Sequence, residues 1–232
     1  MSKKNICLSA GLIGGLLIPF AAPQASAASI AIVNGDFETD GVDNAAPPFG
    51  WTDLTPTSFW TGVGNESGNP ATSALTAAGF SGFFLTTART SAGAGSQPTI
   101  GTLVQTVDLS AFATDIDNGD QSLTVSFVWG SGDFNDTGTF SLHFFSTVDG
   151  TGSELGTGFS EALTEADNFN FVSFAESVGG AVPTGTRSVT LRIDTSRGAG
   201  SETNLVFDNF TGEINTIPEP SAALLGGLGV LG

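Results

Sequence analysis

Between Ser29 and Ile214 segments in which large apolar residues alternate with small or polar ones at period two are frequent. That is the repeat of a strand with one buried face, and helical periodicity is hard to find. In Leu123-Thr124-Val125-Ser126-Phe127-Val128-Trp129 the odd positions are large and apolar, and the even ones are mostly small or polar. Thr139-Phe140-Ser141-Leu142-His143-Phe144 repeats the pattern in the opposite parity. The stretch between them, from Gly130 to Gly138, is rich in Gly, Asp and Asn, so the two segments are expected to form a hairpin. Residues 188–194 alternate cleanly again, and further strands are expected at 30–33, 82–87, 102–109, 169–176 and 204–213. About eight short strands joined by such turns predict an all-β fold, an antiparallel β-sandwich of jelly-roll type. With no internal repeat and no long linker, one domain is expected over residues 28–214.

The two ends depart from this pattern. Lys3 and Lys4 precede an apolar run from Ile6 to about Ala22, and Ala25-Ser26-Ala27 follows it. A short basic start, an apolar stretch and a small-x-small motif make a signal peptide. Signal peptidase admits only small side chains at Ala25 and Ala27, so residues 1–27 are expected to be removed by cleavage before Ala28. At the other end Pro218-Glu219-Pro220 stands before a Gly/Leu-rich apolar tail. This combination resembles the PEP-CTERM sorting signal. The resemblance implies recognition by exosortase, a membrane enzyme, in bacteria that make extracellular polysaccharide, with transient membrane association through the tail. The family tail usually spans the membrane and ends in a basic cluster. Residues 215–232 are therefore expected to be a truncated or atypical sorting segment, since the apolar run is too short to cross a bilayer. The expected location is the cell surface or the extracellular matrix.

Charge narrows the partners. The chain carries 23 acids against six basic side chains, a formal net charge of −17. Without Lys3 and Lys4, four basic residues face 23 acids, which gives −19. Such a chain repels phosphate backbones and anionic membranes, and no nucleic-acid partner is expected. Its one cysteine, Cys7, lies in the leader, so disulfides, thiolate metal sites and cysteine nucleophiles are excluded from the mature domain.

Asn34-Gly35-Asp36-Phe37-Glu38 followed by Phe49-Gly50-Trp51-Thr52, and the closing Val206-Phe207-Asp208-Asn209-Phe210, resemble the first and last strands of galactose-binding-like jelly rolls. These include carbohydrate-binding modules of families 4 and 9 and DUF642-like domains, and the resemblance spans roughly residues 30–214. It implies a structural Ca²⁺ between the first and last strands, held by the Asp36 carbonyl and the Glu38 and Asp208 carboxylates. Hard oxygens, including carboxylates, are what Ca²⁺ requires. Phe37 and Phe207 are expected in the core, which turns Glu38 and Asp208 to the other side. The alternative is that both acids are solvated strand ends. A second acidic run, Asp115-Ile116-Asp117-Asn118-Gly119-Asp120, begins like an EF-hand loop but has Ser126 where the twelfth-position Glu belongs. It is expected to be a polar turn.

Sugars are recognised by aromatic faces and by planar polar groups that bond hydroxyls. Trp60, in a turn-rich stretch, is the best candidate for an exposed platform, whereas Trp51 and Trp129 are expected in the core. His143 and Arg192 lie on the faces of their strands opposite the core residues, and on a concave sheet they would bond a ligand. No catalytic residues are expected. A Ser-His-acid arrangement would have to use His143, and no nucleophile elbow surrounds a serine. Carboxylate pairs such as Glu161 and Glu165 carry little information in so acidic a chain. The sequence thus points to a non-catalytic exported protein binding extracellular polysaccharide. A structural or adhesion protein of the biofilm matrix is the alternative, and a glycoside hydrolase or lyase comes third.

Overall fold

A computed structural model describes residues 26–39, 47–54, 63–65, 80, 82–86, 100–131, 136–164, 174–196, 198 and 205–217. All of these fall in one unit, Ala25–Ile217. The strands are β1 (Ala27–Ser29), β2 (Thr52–Asp53), β3 (Val63–Asn65), β4 (Phe83–Thr86), β5 (Ile100–Asp108), β6 (Gln121–Ser131), β7 (Thr137–Phe145), β8 (Glu154–Thr164), β9 (Phe174–Ala181), β10 (Ser188–Ser196) and β11 (Leu205–Thr216). A 3-10 turn, Ser110–Phe112, and a short helix, α1 (Ala113–Asp117), link β5 to β6.

The strands form two antiparallel sheets. One has the order β3-β4-β11-β6-β9, with β1 also paired to β11; the other has the order β2-β5-β10-β7-β8. From β4 to β7, and again from β8 to β11, each strand lies in the sheet opposite its predecessor. This alternation makes the antiparallel β-sandwich a jelly roll.

Period two places the core. Leu123, Val125, Phe127 and Trp129 of β6 are buried, as are Phe140, Leu142 and Phe144 of β7 and Val189, Leu191 and Ile193 of β10. The inner faces meet in an aromatic seam. The Phe127 ring lies 4.6 Å from Phe140 across the two sheets and is stacked 5.0 Å from Phe210. Trp51 and Phe210 approach to 5.4 Å, and Phe37 packs on both.

The expected 123–144 hairpin does not form. β6 pairs with β11 and β9, and β7 pairs with β10 and β8. Alternation identifies a strand's buried face and not its hydrogen-bonded neighbour. Here the two apolar faces oppose each other across the core instead of lying side by side. The expected strand at 30–33 is displaced to Ala27–Ser29, whose partners are Asn215, Ile214 and Glu213. Residues 30–33 are held by other means: Ile30 N donates to the Gly212 carbonyl at 2.9 Å. The buried Gln105 side chain accepts from Val33 N and donates to Val33 O, each at 2.8 Å. The strand expected at 169–176 begins at Phe174, and β8 had no clear alternation to announce it. The expected polar turn at 115–120 is partly helical. In α1, Asp117 is clamped by Arg187 Nη1 and Nη2 at 3.0 and 2.7 Å and accepts from Gly185 N at 3.1 Å. The Arg187 guanidinium holds the Asp117 carboxyl below the usual carboxylate range, so this acid is a tether between segments.

The expected cleavage before Ala28 falls inside β1, between Ala27, paired with Asn215, and Ala28, paired with Ile214. Ala25, the Pro218-Glu219-Pro220 motif and Trp60 lie outside the described residues.

Candidate functional site

The outer face of the five-stranded sheet follows from the parity of its strands. With Leu103, Gln105 and Val107 turned inward, β5 presents Thr102, Val104 and Thr106 outward. Across β5, β10 and β7 the outward residues align as Thr106–Thr190–His143, Val104–Arg192–Ser141 and Thr102–Asp194–Thr139. At the edges β2 sets Thr52 beside Val104, and β8 sets Ser160 beside Ser141 and Ala162 beside Thr139. The face is thus a raft of hydroxyls with one guanidinium and one imidazole near its centre.

Both of those groups are fixed by carboxylates. Arg192 Nε and Nη2 donate to Asp194 Oδ2 and Oδ1 at 2.6 and 2.9 Å, and Asp194 Oδ1 also accepts from Thr102 Oγ1 at 2.6 Å. The hydrogen bonds to Asp194 push the Arg192 pKa up, so it stays charged at any ordinary pH. The His143 Nδ1 atom lies 2.6 Å from Glu154 Oε1, and Nε2 lies 3.0 Å from Ser141 Oγ. An ionised carboxylate only accepts, so Nδ1 carries the hydrogen. In the neutral ring, Nε2 then accepts from the Ser141 hydroxyl.

The face has relief at two sides. The loop from Ser146 to Ser153 folds over one end, where Gly150 (φ +73°) lies so close to Thr106 and Thr190 that a Cβ would meet their hydroxyl oxygens at 3.1–3.2 Å. Ser188 Oγ anchors that loop by donating to the Thr147 carbonyl at 2.6 Å. In the loop, Asp149 accepts from Thr147 and Thr151, and these bonds hold its carboxyl down to about 2. At the opposite edge Leu54, beside β2, is 54% exposed and donates its N–H to the Thr102 carbonyl at 2.9 Å.

His143 and Arg192, read from the sequence as outward-facing, both stand on this face, on adjacent strands. Three further members escaped the sequence reading. Ser141 shares the parity of His143, a signal that was present. Asp194 shares the parity of Arg192. Glu154 starts a strand that was not expected, and nothing local marks it.

The expected metal residues lie elsewhere, where the first and last segments meet. Asn34 starts a tight turn: Phe37 N donates to its carbonyl at 3.3 Å and Thr39 N to its Oδ1 at 3.0 Å. Asp36 Oδ1 accepts from Glu38 N at 3.3 Å. Phe210 N donates to the Gly35 carbonyl at 2.9 Å, which joins the turn to β11. There β11 carries a bulge between Asp208 and Thr211 in its ladder with β6. Among the described residues other than glycine, positive φ occurs at Asn34 (50°), Phe37 (55°) and Asn209 (57°), all at this junction. A left-handed phenylalanine is costly, and its fully buried ring against Trp51 and Phe210 offsets the strain.

Phe37 and Phe207 are in the core as expected, but Asp208 is not a solvated strand end, being 2% exposed with Oδ1 accepting from Asn209 N at 2.7 Å. The Glu38 carboxylate packs against Gly82, where a Cβ would collide with it. Among the described residues no group of three or more acidic or histidine side chains is placed to hold a metal ion. The set implied by the resemblance contains two carboxylates and a carbonyl. Its donors are of the right kind for Ca²⁺, and further carbonyls or water would have to complete six to eight oxygens.

No family model matches the chain, and no curated protein matches it. Solved structures do. The enzymatically active domain of tailspike protein 4 of bacteriophage CBA120 matches at 16% identity and a TM-score of 0.47, over 79% of this chain and 21% of that one. A family-4 carbohydrate-binding module matches at 16% identity and 0.39, over 78% of this chain and 98% of the module. A family-28 module specific for non-crystalline cellulose matches at 14% identity and 0.39, over 83% and 98%. At such values none of these likenesses transfers a ligand or a residue role to this chain.

Proposed function

We propose that this is an exported protein that binds extracellular polysaccharide on the outer face of its five-stranded sheet. The observation that carries the reading is the array of Arg192, His143 and Ser141 among threonines on that face. Two of its groups are pre-oriented by Asp194 and Glu154, so little side-chain entropy is lost on binding. The guanidinium Nη1 that Asp194 leaves over and the threonine hydroxyls around it bond sugar hydroxyls, and Leu54 and Val104 at one edge offer apolar surface to pyranose C–H groups. The charge of −17 favours a neutral glycan over a polyanion. Export, exosortase sorting and a surface or matrix location rest on the leader ending in Ala25-Ser26-Ala27 and on Pro218-Glu219-Pro220.

Polysaccharide pull-down and calorimetry on the mature protein test the reading. Arg192→Ala is expected to weaken binding to neutral polysaccharides by at least tenfold without changing the melting temperature by more than a few degrees. Binding indifferent to Arg192→Ala, or no binding to any neutral glycan, would leave a structural matrix or adhesion role.

The same reading includes a structural Ca²⁺ held by the Asp36 carbonyl, Glu38 and Asp208. Its support is the meeting of the opening turn with the closing bulge, and the buried Asp208 carboxylate. EDTA is expected to lower the melting temperature of the wild-type protein and to leave that of Asp208→Ala unchanged. A wild-type melt indifferent to chelator removes the ion from the account.

A further inference from the structure

We propose that Ser141, His143 and Glu154 form a nucleophile–base–acid relay that hydrolyses carboxylic esters presented to the outer face of the five-stranded sheet. Three observations carry it. The order of contacts is that of an activated serine: Oγ to Nε2 at 3.0 Å, then Nδ1 to a carboxylate oxygen at 2.6 Å. All three residues belong to the same outer face, where the imidazole is 32% and Glu154 47% exposed and Ser141 lies beneath them, buried at 7%. The third observation is that the backbone is bent to make the contact.

In the β7–β8 ladder Leu142 pairs with Phe159 and Phe144 with Leu155, so three residues of β8 oppose His143 alone. Regular pairing would set Phe145 against Gly156; the bulge sets it against Glu154 and so draws this acid to the imidazole. Within the bulge Gly156 and Gly158 have φ of +70° and +64°, and a Cβ on Gly158 would meet the Leu142 carbonyl oxygen at 2.4 Å. Only glycine fits there.

The chemistry balances without a cofactor. Ser141 Oγ bonds to the acyl carbon as its proton passes to His143 Nε2. The tetrahedral intermediate expels the alcohol, which takes that proton as the ester C–O bond breaks. Water, deprotonated by the same Nε2, then cleaves the acyl-serine to a carboxylic acid and restores the hydroxyl. Glu154 is a positioning residue: it fixes the tautomer and stabilises the imidazolium.

Ser141 sits mid-strand, paired on both sides, so its backbone N–H does not serve the oxyanion. The donor is Arg192, its cross-strand partner, whose two bonds to Asp194 use Nε and Nη2 and leave Nη1 for the developing charge. The natural substrate class is an O-acylated neutral polysaccharide. That part rests on the binding reading above, whereas the relay does not.

The test uses p-nitrophenyl acetate for turnover and a fluorophosphonate with peptide mass spectrometry to locate the nucleophile. Wild-type protein is expected to hydrolyse the ester at least tenfold faster than Ser141→Ala and His143→Ala, and to be phosphonylated at Ser141. Glu154→Gln is expected to lower the rate and change the pH profile. Ser126→Ala, on the outer face of the other sheet, is expected to retain the wild-type rate. Equal rates for wild type and Ser141→Ala, or labelling absent from Ser141, would overturn the proposal. Wild-type protein that binds neutral polysaccharide but neither turns over the ester nor is labelled at Ser141 leaves the binding reading intact, so the two fail separately.

Discussion

Phe127→Ala probes the seam between the sheets. The side chain is 2% exposed and its ring meets Phe140 of the opposite sheet at 4.6 Å and Phe210 at 5.0 Å with planes only 14° apart. A buried phenylalanine removes roughly 150 Å² from water, worth about 4 kcal/mol at about 25 cal/mol per Å². A poorly collapsing cavity keeps the cost in the range of about 3–5 kcal/mol. Against a total of about 5–15 kcal/mol for a domain, that loss is large. Urea unfolding followed by tryptophan fluorescence measures it, since Trp51 and Trp129 are buried in the same core. The stacked geometry further predicts that a Phe127→Ala/Phe210→Ala double-mutant cycle yields a coupling of about 0.5–1.5 kcal/mol. A loss below about 1 kcal/mol for the single variant, or a coupling near zero, would refute the packing. It would also undercut the site, because Phe140 precedes Ser141 on β7 and packing at one face fixes the side chains on the other.

Other outcomes follow from named contacts. Gly35→Ala sets a Cβ 2.3 Å from the Phe210 carbonyl oxygen, a backbone atom that cannot swing away, so a cost of about 2 kcal/mol or more is expected in thermal or urea melts. Gly119→Ala, with a positive φ and only Thr184 nearby at 4.0 Å, bears backbone strain alone and should cost about 1–2 kcal/mol. Asp149, held at about 2 by Thr147 and Thr151, contributes stability that is present above about pH 4 and lost as pH falls through about 2. Thr147→Val is expected to raise its NMR titration midpoint toward 3.8, and by more than Thr151→Val does. Arg187→Ala should likewise raise the titration of Asp117 toward the ordinary carboxylate value, seen by the same carboxyl NMR measurement.

Alternation in 123–129, 139–144 and 188–194 determined by itself that the chain is all-β and which side chains are buried, because period two is a local property of an extended backbone. It also put His143 and Arg192 on outward faces, whereas Phe37 reaches the core from a turn and Phe207 is buried together with its neighbour Asp208. Which strands become neighbours is a long-range matter. Only the assembled sheets decided that Leu123–Trp129 and Phe140–Phe144 face each other through the core instead of pairing in a hairpin. Only they decided that β10 lies between β5 and β7, which brings Arg192 alongside Ser141 and His143. Glu154 reaches His143 through a bulge with two left-handed glycines, and Gln105 replaces a strand partner for Val33. Both contacts join residues that have no local reason to meet. Parity fixes where a side chain points, but register and bulges, set by closure of the whole sandwich, fix what it meets.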